Sequence, residues 1–437
     1  MDRELVAEAR RCADAGWAWV LDQVRRDDHG PWIPLTVPGD GAVTSAPPNR
    51  DCVYDGIAGL AFVLAELRLA RPWTDVESHL AREVVERLSV ADVGDECGLY
   101  TGLSGSVTAL ALLDPAAARS ASDRLAALLT ADGWLSGQVD EPAAPVNDVL
   151  MGDAGTILVC AWLGGDVADG LVRTAADALR ARAVPSESGL AWKMFQGDRD
   201  RWMPNYSHGT AGIATALAVA GHRLDRSDLV EAARLGAEHL VTLADIEGGG
   251  FRLPLQIPTA EDREAFAYGW CHGPAGTINL FGALELAGVG TVAGTSTTEW
   301  RARGVRSLES SGLPARLRPG FWDNDGRCCG TAGVLEAVLT HAQATGDAAC
   351  LAFADRLASA LVDRAIAMDQ DGSQCCWRFH EHRADPPDLD PGVGWMQGAA
   401  GIVAGLSRYS RVREGGLSAS RTGLPDDWWM RVGAPTS

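Results

Sequence analysis

Three short motifs set sulfur and imidazole side chains directly ahead of a glycine: Ser207-His208-Gly209, Cys271-His272-Gly273 and Cys328-Cys329-Gly330. Each of these glycines opens the same kind of segment, Gly-x-x-Gly followed by an apolar run: GTAGIATALAVA, GPAGTINLFGAL and GTAGVLEAVLTH. Equivalent positions of a structural repeat share a place in the fold, so the residues just before each glycine should gather around one end of one cavity. Cys271, Cys328 and Cys329 would then supply three thiolates to a single Zn²⁺ and leave the fourth tetrahedral position exchangeable, the pattern of a catalytic zinc site. His272 is the alternative to one of the thiolates, with three Cys the preferred set. The plain competitor is a buried structural thiol, because free Cys is among the most buried residue types. Cys12, Cys52, Cys97, Cys160 and Cys350 read that way. A rival cluster, CCWRFHEH, brings Cys375, Cys376, His380 and His382 close in sequence. It stands a long loop ahead of the next glycine pair and out of step with the others, and Trp377 with the Pro-rich loop behind it points to packing.

The elements that must position these groups follow from the glycines. Gly-x-x-Gly steps begin at Gly56, Gly102, Gly152, Gly209, Gly273, Gly330 and Gly398, each followed by an apolar run. One such step is weak in an Ala-rich chain, but seven at quasi-regular spacing are a repeat architecture. The position before the first Gly holds Asp55, Thr101, Met151, His208, His272, Cys329 and Gln397; the one before that holds Tyr54, Tyr100, Leu150, Ser207, Cys271, Cys328 and Met396. The run after each pair is apolar on nearly all sides, as in a helix packed on several faces. Between pairs lies a more charged segment with one apolar stripe. In AACLAFADRLASALVDRAIAM, Cys350, Phe353, Leu357 and Leu361 fall at helical spacing, with Asp355, Arg356, Asp363 and Arg364 on the wet side. Seven buried and about seven amphipathic helices predict an all-α fold, an α/α toroid of two concentric rings. Strand-like alternation is nearly absent. Glycine at the first and fourth positions should admit an otherwise forbidden backbone conformation and a close backbone approach. The helix N-termini then face one end, where their free N–H groups favour anions and thiolates.

Composition narrows the function. Of 437 residues, 38 are Lys or Arg and 58 are Asp or Glu, a formal charge of −20. That balance argues against a nucleic-acid partner, which needs clustered cations. No stretch reaches the ~18 apolar residues of a membrane span, and the charged N-terminus reads as an amphipathic helix, not a signal peptide. Ten Cys in this length are too dilute for a disulfide scaffold, so the expected compartment is the cytoplasm, with thiols reduced. The expected organisation is one toroid over 1–437, with an N-terminal helix and loop (1–50) packing on it and a C-terminal tail (411–437).

At GWCHG, CCG, SHGTAGI and WMQGAAGI the sequence resembles the lanthionine synthetase cyclase (LanC-like) family, over essentially the whole chain. The resemblance implies a zinc enzyme that adds a peptide Cys thiol to dehydroalanine or dehydrobutyrine, forming lanthionine or methyllanthionine in lanthipeptide biosynthesis. It implies zinc ligands at Cys271, Cys328 and Cys329, where Cys329 stands in place of the commoner His. It further implies an active-site His at His208 and an Asp at Asp148, in NDVLMGDAG. The family's Arg four residues before the first zinc Cys is missing: Ala267 stands there, and Arg263 is too far along the chain to replace it simply. Zinc would lower the pKa of a substrate thiol, and His208 would protonate the resulting enolate, with Asp148 orienting the imidazole. The plain alternatives are a capping or core histidine, and a helix cap at Asp148. The implied substrate is a dehydrated precursor peptide, prepared by a separate dehydratase because the chain leaves no room for a fused one.

Three other readings compete. A glycoside hydrolase on the same architecture could use the 15 Trp to stack sugars, but it needs two opposed carboxylates and leaves the Cys motifs unexplained. A LanC-like enzyme adding glutathione or another small thiol would use the same site. A non-catalytic member binding a peptide or partner is permitted by the missing Arg and opposed by the intact Cys triad.

Overall fold

The computed structural model describes residues 3–39, 45–91, 94, 96–136, 144–194, 202–260, 264–315, 324–380 and 385–430. Every Gly pair is followed by a helix: α2 (Ala58–Arg68), α4 (Leu103–Leu113), α6 (Asp153–Leu163), α8 (Thr210–Leu224), α10 (Pro274–Leu286), α12 (Thr331–Thr345) and α14 (Ala399–Gly415). These seven form the inner ring. Each packs on the next, and α14 packs back on α2, so the ring is closed. Their apolar runs are buried on every side, as from Pro274 to Leu284 in α10. The outer helices are α1 (Arg3–Asp22), α3 (Asp75–Val90), α5 (Ala118–Ala127), α7 (Asp166–Ala181), α9 (Ser227–Leu243), α11 (Thr297–Glu309) and α13 (Leu351–Asp363). Each buries one stripe; in α13 this includes Phe353, Leu357 and Leu361. The N-terminal helix α1 packs on α14 and takes the seventh outer place. Among the described residues, no helix is long and apolar enough to cross a membrane.

A belt of backbone hydrogen bonds joins the loops ahead of the inner helices. Tyr54 N–H donates to the Tyr100 carbonyl (2.9 Å), Tyr100 to Leu150 (3.0 Å), Val149 to Ser207 (3.1 Å) and Ser207 to Cys271 (3.0 Å). Cys271 then donates to Cys328 (3.1 Å), Cys328 to Met396 (2.9 Å), and Met396 to Tyr54 (2.9 Å). This seven-membered circuit holds the residues one and two places before each Gly around a single mouth. It is the physical basis of the equivalence expected from the repeat.

The glycines answer to space alone. At Gly209, Gly273 and Gly330 the backbone is extended (φ −140°, −136° and −135°), a region open to any residue, so the forbidden conformation expected at these starts does not occur. The second Gly of each pair instead lies against the carbonyl of the residue six places earlier: Gly212 on Tyr206, Gly276 on Trp270, Gly333 on Arg327 and Gly401 on Trp395. A Cβ on Gly276 would strike the Trp270 carbonyl and approach Tyr206 Cβ to 2.8 Å. Gly276→Ala should therefore cost about 1–3 kcal/mol through overpacking, read as a lower urea midpoint at unchanged slope. An unaltered midpoint would show that the loop simply yields.

The structure also contains short antiparallel hairpins, two or three residues per strand, such as Val184–Ser186 with Gly189–Ala191. They are too short to display a period of two. Several carry a Trp that closes the preceding outer helix. Trp134 Nε1 donates to Leu125 O (2.8 Å), Trp192 to Leu179 O (2.9 Å) and Trp377 to Leu361 O (2.8 Å). These indoles are buried and serve the architecture, not a sugar-binding surface.

The C-terminal segment turns back into the lumen. Leu424, Asp426, Asp427, Trp429 and Met430 are all buried. Tyr100 Oη donates to Asp426 Oδ2 (2.9 Å), and Tyr206 Oη and Asn279 Nδ2 donate to the Asp426 carbonyl (3.1 and 3.3 Å). Burial, and after it the charge of Asp427, push the Asp426 carboxyl up to about 6.

Candidate metal centre and active site

The belt delivers Cys271 from the loop before α10, and Cys328 and Cys329 from the loop before α12. All three are buried, and their sulfurs lie within 4.8 Å of one another, the one such cluster of potential metal ligands among the described residues. Cys271 Sγ and Cys329 Sγ are 3.2 Å apart. Three convergent sulfurs form a soft donor set suited to Zn²⁺. Their acidities are strongly unequal. Cys328 is held well below the usual thiol range because Cys271, Cys329 and Tyr54 hydrogen-bond to it, against the effect of burial. Cys271 is pushed up, first by burial and then by its bond to Cys328, while Cys329 is pushed up chiefly by its bonds to Cys271 and Cys328.

His208, directly before α8, borders this cluster closely enough for its charge to lower the Cys328 pKa. Its Nδ1 lies 2.6 Å from Asp148 Oδ2, and Asp148 is fully buried. The other carboxylate oxygen, Oδ1, accepts from Met151 N–H at 2.8 Å. Asp148 therefore closes the turn ahead of α6 and orients an imidazole from the next repeat at the same time. With Nδ1–H directed to the carboxylate, Nε2 is the nitrogen left for chemistry. Burial disfavours the imidazolium, but the hydrogen bond and charge of Asp148, and then Cys328, outweigh it and raise the His208 pKa above 6.5. His272 lies beside His208, ring centroids 5.6 Å apart.

Two residues at the same mouth carry functional geometry that sequence reasoning passed over. Gln397, before α14, donates from Nε2 to Tyr54 Oη (3.0 Å) and to Cys329 Sγ (3.7 Å). Both had been placed in step with the Cys motifs by the repeat, but neither is a metal-ligand type. Beneath the cluster, Tyr100 and Tyr206 meet Trp270 edge-on, at centroid distances of 5.1 and 5.5 Å. With Asp426 bonded to both tyrosines, they form a floor over the inserted tail.

Ala267 is buried, where the resemblance would place an Arg; Arg263 lies outside the described residues. The adjacent Tyr268 hydroxyl accepts from Arg252 Nη1 at 2.7 Å. Among the described residues of CCWRFHEH, the side chains do not assemble into one site. Cys375 Sγ faces Cys12 Sγ at 3.9 Å, Cys376 Sγ faces Met368 Sδ at 3.2 Å, and His380 Nδ1 pairs with Asp388 Oδ1 at 2.7 Å. His382 lies outside the described residues. Cys52, Cys97, Cys160 and Cys350 are buried, whereas Cys12 is half-buried.

Comparisons with known proteins bear on this arrangement. No curated protein matches the sequence. Among solved structures, the fold is similar to that of nisin cyclase, with a TM-score of 0.59 and 16% identity over 82% of this chain and 88% of that one. It is more distantly similar to an unsaturated glucuronyl hydrolase specific for heparin, with a TM-score of 0.49 and 10% identity over 94% and 98% of the two chains. The nisin cyclase match establishes the α/α toroid. A family model described as lanthionine synthetase C-like protein matches residues 47–414, a span containing all seven Gly pairs, the three clustered thiols and the His208–Asp148 pair. The chain belongs to the lanthionine synthetase C-like family.

Proposed function

We propose that this protein is a zinc-dependent cyclase that adds peptide Cys thiols to dehydroalanine or dehydrobutyrine, closing lanthionine and methyllanthionine rings. The observation that carries the reading is the convergence of three buried thiols beside an imidazole whose pKa is raised by a buried carboxylate. Cys271, Cys328 and Cys329 would hold Zn²⁺, and the metal's contribution when bound is to lower the pKa of a substrate thiol so that a thiolate exists near neutral pH. The thiolate's electron pair forms the C–S bond at the alkene β-carbon, and the π pair moves onto the carbonyl as an enolate. His208 then delivers its Nε2 proton to the α-carbon and is reprotonated by the proton released from the incoming thiol. Asp148 holds the tautomer and favours the imidazolium that donates.

Addition of glutathione or another small thiol to a dehydroamino acid would employ the same groups, and one assay separates the two. A dehydrated, Cys-containing peptide is incubated with zinc-loaded protein and glutathione, alkylated at free thiols, and weighed by mass spectrometry. Ring closure leaves the peptide mass unchanged and removes its alkylatable thiol. A peptide that gains glutathione and keeps its thiol would replace the cyclase reading with the small-thiol one. The substrate is expected to be a precursor peptide dehydrated by a separate enzyme.

A further inference from the structure

The three-sulfur cluster is built from the fifth and sixth repeats, yet it is touched from across the seam where the toroid closes. Tyr54 comes from the first repeat and Gln397 from the seventh, and the closing bond of the belt, Met396 N–H to the Tyr54 carbonyl at 2.9 Å, ties their loops together. The side chains form a directed set of donors. One Gln397 Nε2 hydrogen goes to Tyr54 Oη (3.0 Å) and the other to Cys329 Sγ (3.7 Å). The Tyr54 hydroxyl, its oxygen accepting from Gln397, borders Cys328 closely enough to help lower that thiol's pKa. The Gln397 amide thus bonds one sulfur directly and, through its other hydrogen, holds the Tyr54 hydroxyl that borders a second. The arrangement leaves Gln397 Oε1 buried without a partner, a cost that the bonds from Nε2 must offset.

We propose that Tyr54 and Gln397 are positioning residues for the metal centre, donating hydrogen bonds to Cys328 and Cys329 that withdraw electron density from an otherwise all-sulfur ligand set. This inference rests on the cyclase reading only in taking the three thiols as zinc ligands. Three thiolates around Zn²⁺ leave a net charge of −1, and an incoming substrate thiolate makes it −2. A set with one imidazole carries one negative charge fewer. Hydrogen bonds to sulfur spread that excess, and partners of this kind typically change metal affinity 10–100-fold when removed. The donors approach from the ring seam, so the metal centre also depends on closure of the toroid. A single hydroxyl and a single amide do this without adding a cation to the cavity.

The test uses full-length Tyr54→Phe and Gln397→Leu, with zinc affinity read by chelator competition and the sulfur-to-metal charge-transfer band read on the Co²⁺-substituted protein. Tyr54→Phe removes one hydroxyl and keeps the ring packing. Each variant is expected to bind one metal per chain, to lose about 10-fold in zinc affinity, and to shift the Co²⁺ band to lower energy as its sulfurs become more electron-rich. Unchanged affinity and an unchanged band in both variants would overturn the proposal. The wild-type measurement keeps the two readings apart: wild type that binds zinc while the variants stay identical to it sinks only the positioning role, whereas wild type that binds no zinc sinks the metal centre itself and this inference with it.

Discussion

Replacing Cys328 with Ala should reduce zinc from about one per chain to background and slow ring formation by about 10³-fold or more. Cys328 is one of three buried sulfurs that lie within 4.8 Å of one another, so its loss breaks the ligand set. Two thiols remain, too few to close a tetrahedral site with an open position. Activation of a nucleophile by a metal is worth several kcal/mol, and each 1.36 kcal/mol is a factor of ten in rate. Elemental analysis and turnover on a dehydrated peptide, measured on one preparation, check both halves. Full zinc retention with full activity would remove Cys328 from the site. Loss of zinc with retained turnover would keep the metal as a structural element and separate it from catalysis.

The second large effect is expected at the His208–Asp148 pair. Without a general acid, protonation of the enolate should slow by about 10²–10⁴-fold, the expected result for His208→Ala at saturating peptide. Asp148→Asn separates position from charge. The Asn oxygen can still accept from Met151 N–H, and the side chain can still meet the imidazole, but the negative charge is gone. Burial, the effect that opposes the imidazolium, then acts with less opposition, and the His208 pKa falls. In the native protein the raised pKa extends the protonated, proton-donating form above pH 6.5, so the rate should decline on the alkaline side as His208 titrates. In Asp148→Asn that decline should move to lower pH. The same shift bears on stability: a raised histidine pKa contributes stability that is complete below the unfolded value of about 6.5 and is lost as pH rises through the folded value. A pH–rate profile with its alkaline limb unmoved in Asp148→Asn would show that the carboxylate only closes its turn.

Much of this was legible in the sequence because the repeat demands glycine for a spatial reason that recurs seven times. At Gly212, Gly276, Gly333 and Gly401 the helix start lies on a carbonyl six residues back, which a Cβ would strike. Aligning on those glycines therefore aligned the belt, and with it Cys271, Cys328, Cys329 and His208. The same alignment contained Tyr54 and Gln397, but amide and phenol groups lack the metal-ligand character that marks Cys and His. Asp148 was reached through family resemblance, since four places before a Gly pair an Asp reads equally well as a cap. It does bond the Met151 N–H, so the plain reading describes one of its two oxygens. The inserted tail was illegible: Pro425-Asp426-Asp427-Trp428-Trp429 has no helical or repeat pattern, and its buried position follows from partners as distant in sequence as Tyr100 and Tyr206. The places of Trp134, Trp192 and Trp377 were illegible too, because their partners are outer-helix carbonyls, which leave no trace in composition.

The central claim is that three cysteine sulfurs hold a zinc ion open to a substrate thiol. X-ray absorption at the zinc edge of the purified, full-length protein tests it most directly. The account predicts three sulfur scatterers at about 2.3 Å and one lighter, exchangeable ligand, with a fourth sulfur replacing the lighter atom when a peptide thiol is added. Two sulfurs with an imidazole would substitute His272 for one cysteine, and a zinc shell without sulfur, or no zinc at all, would contradict the account.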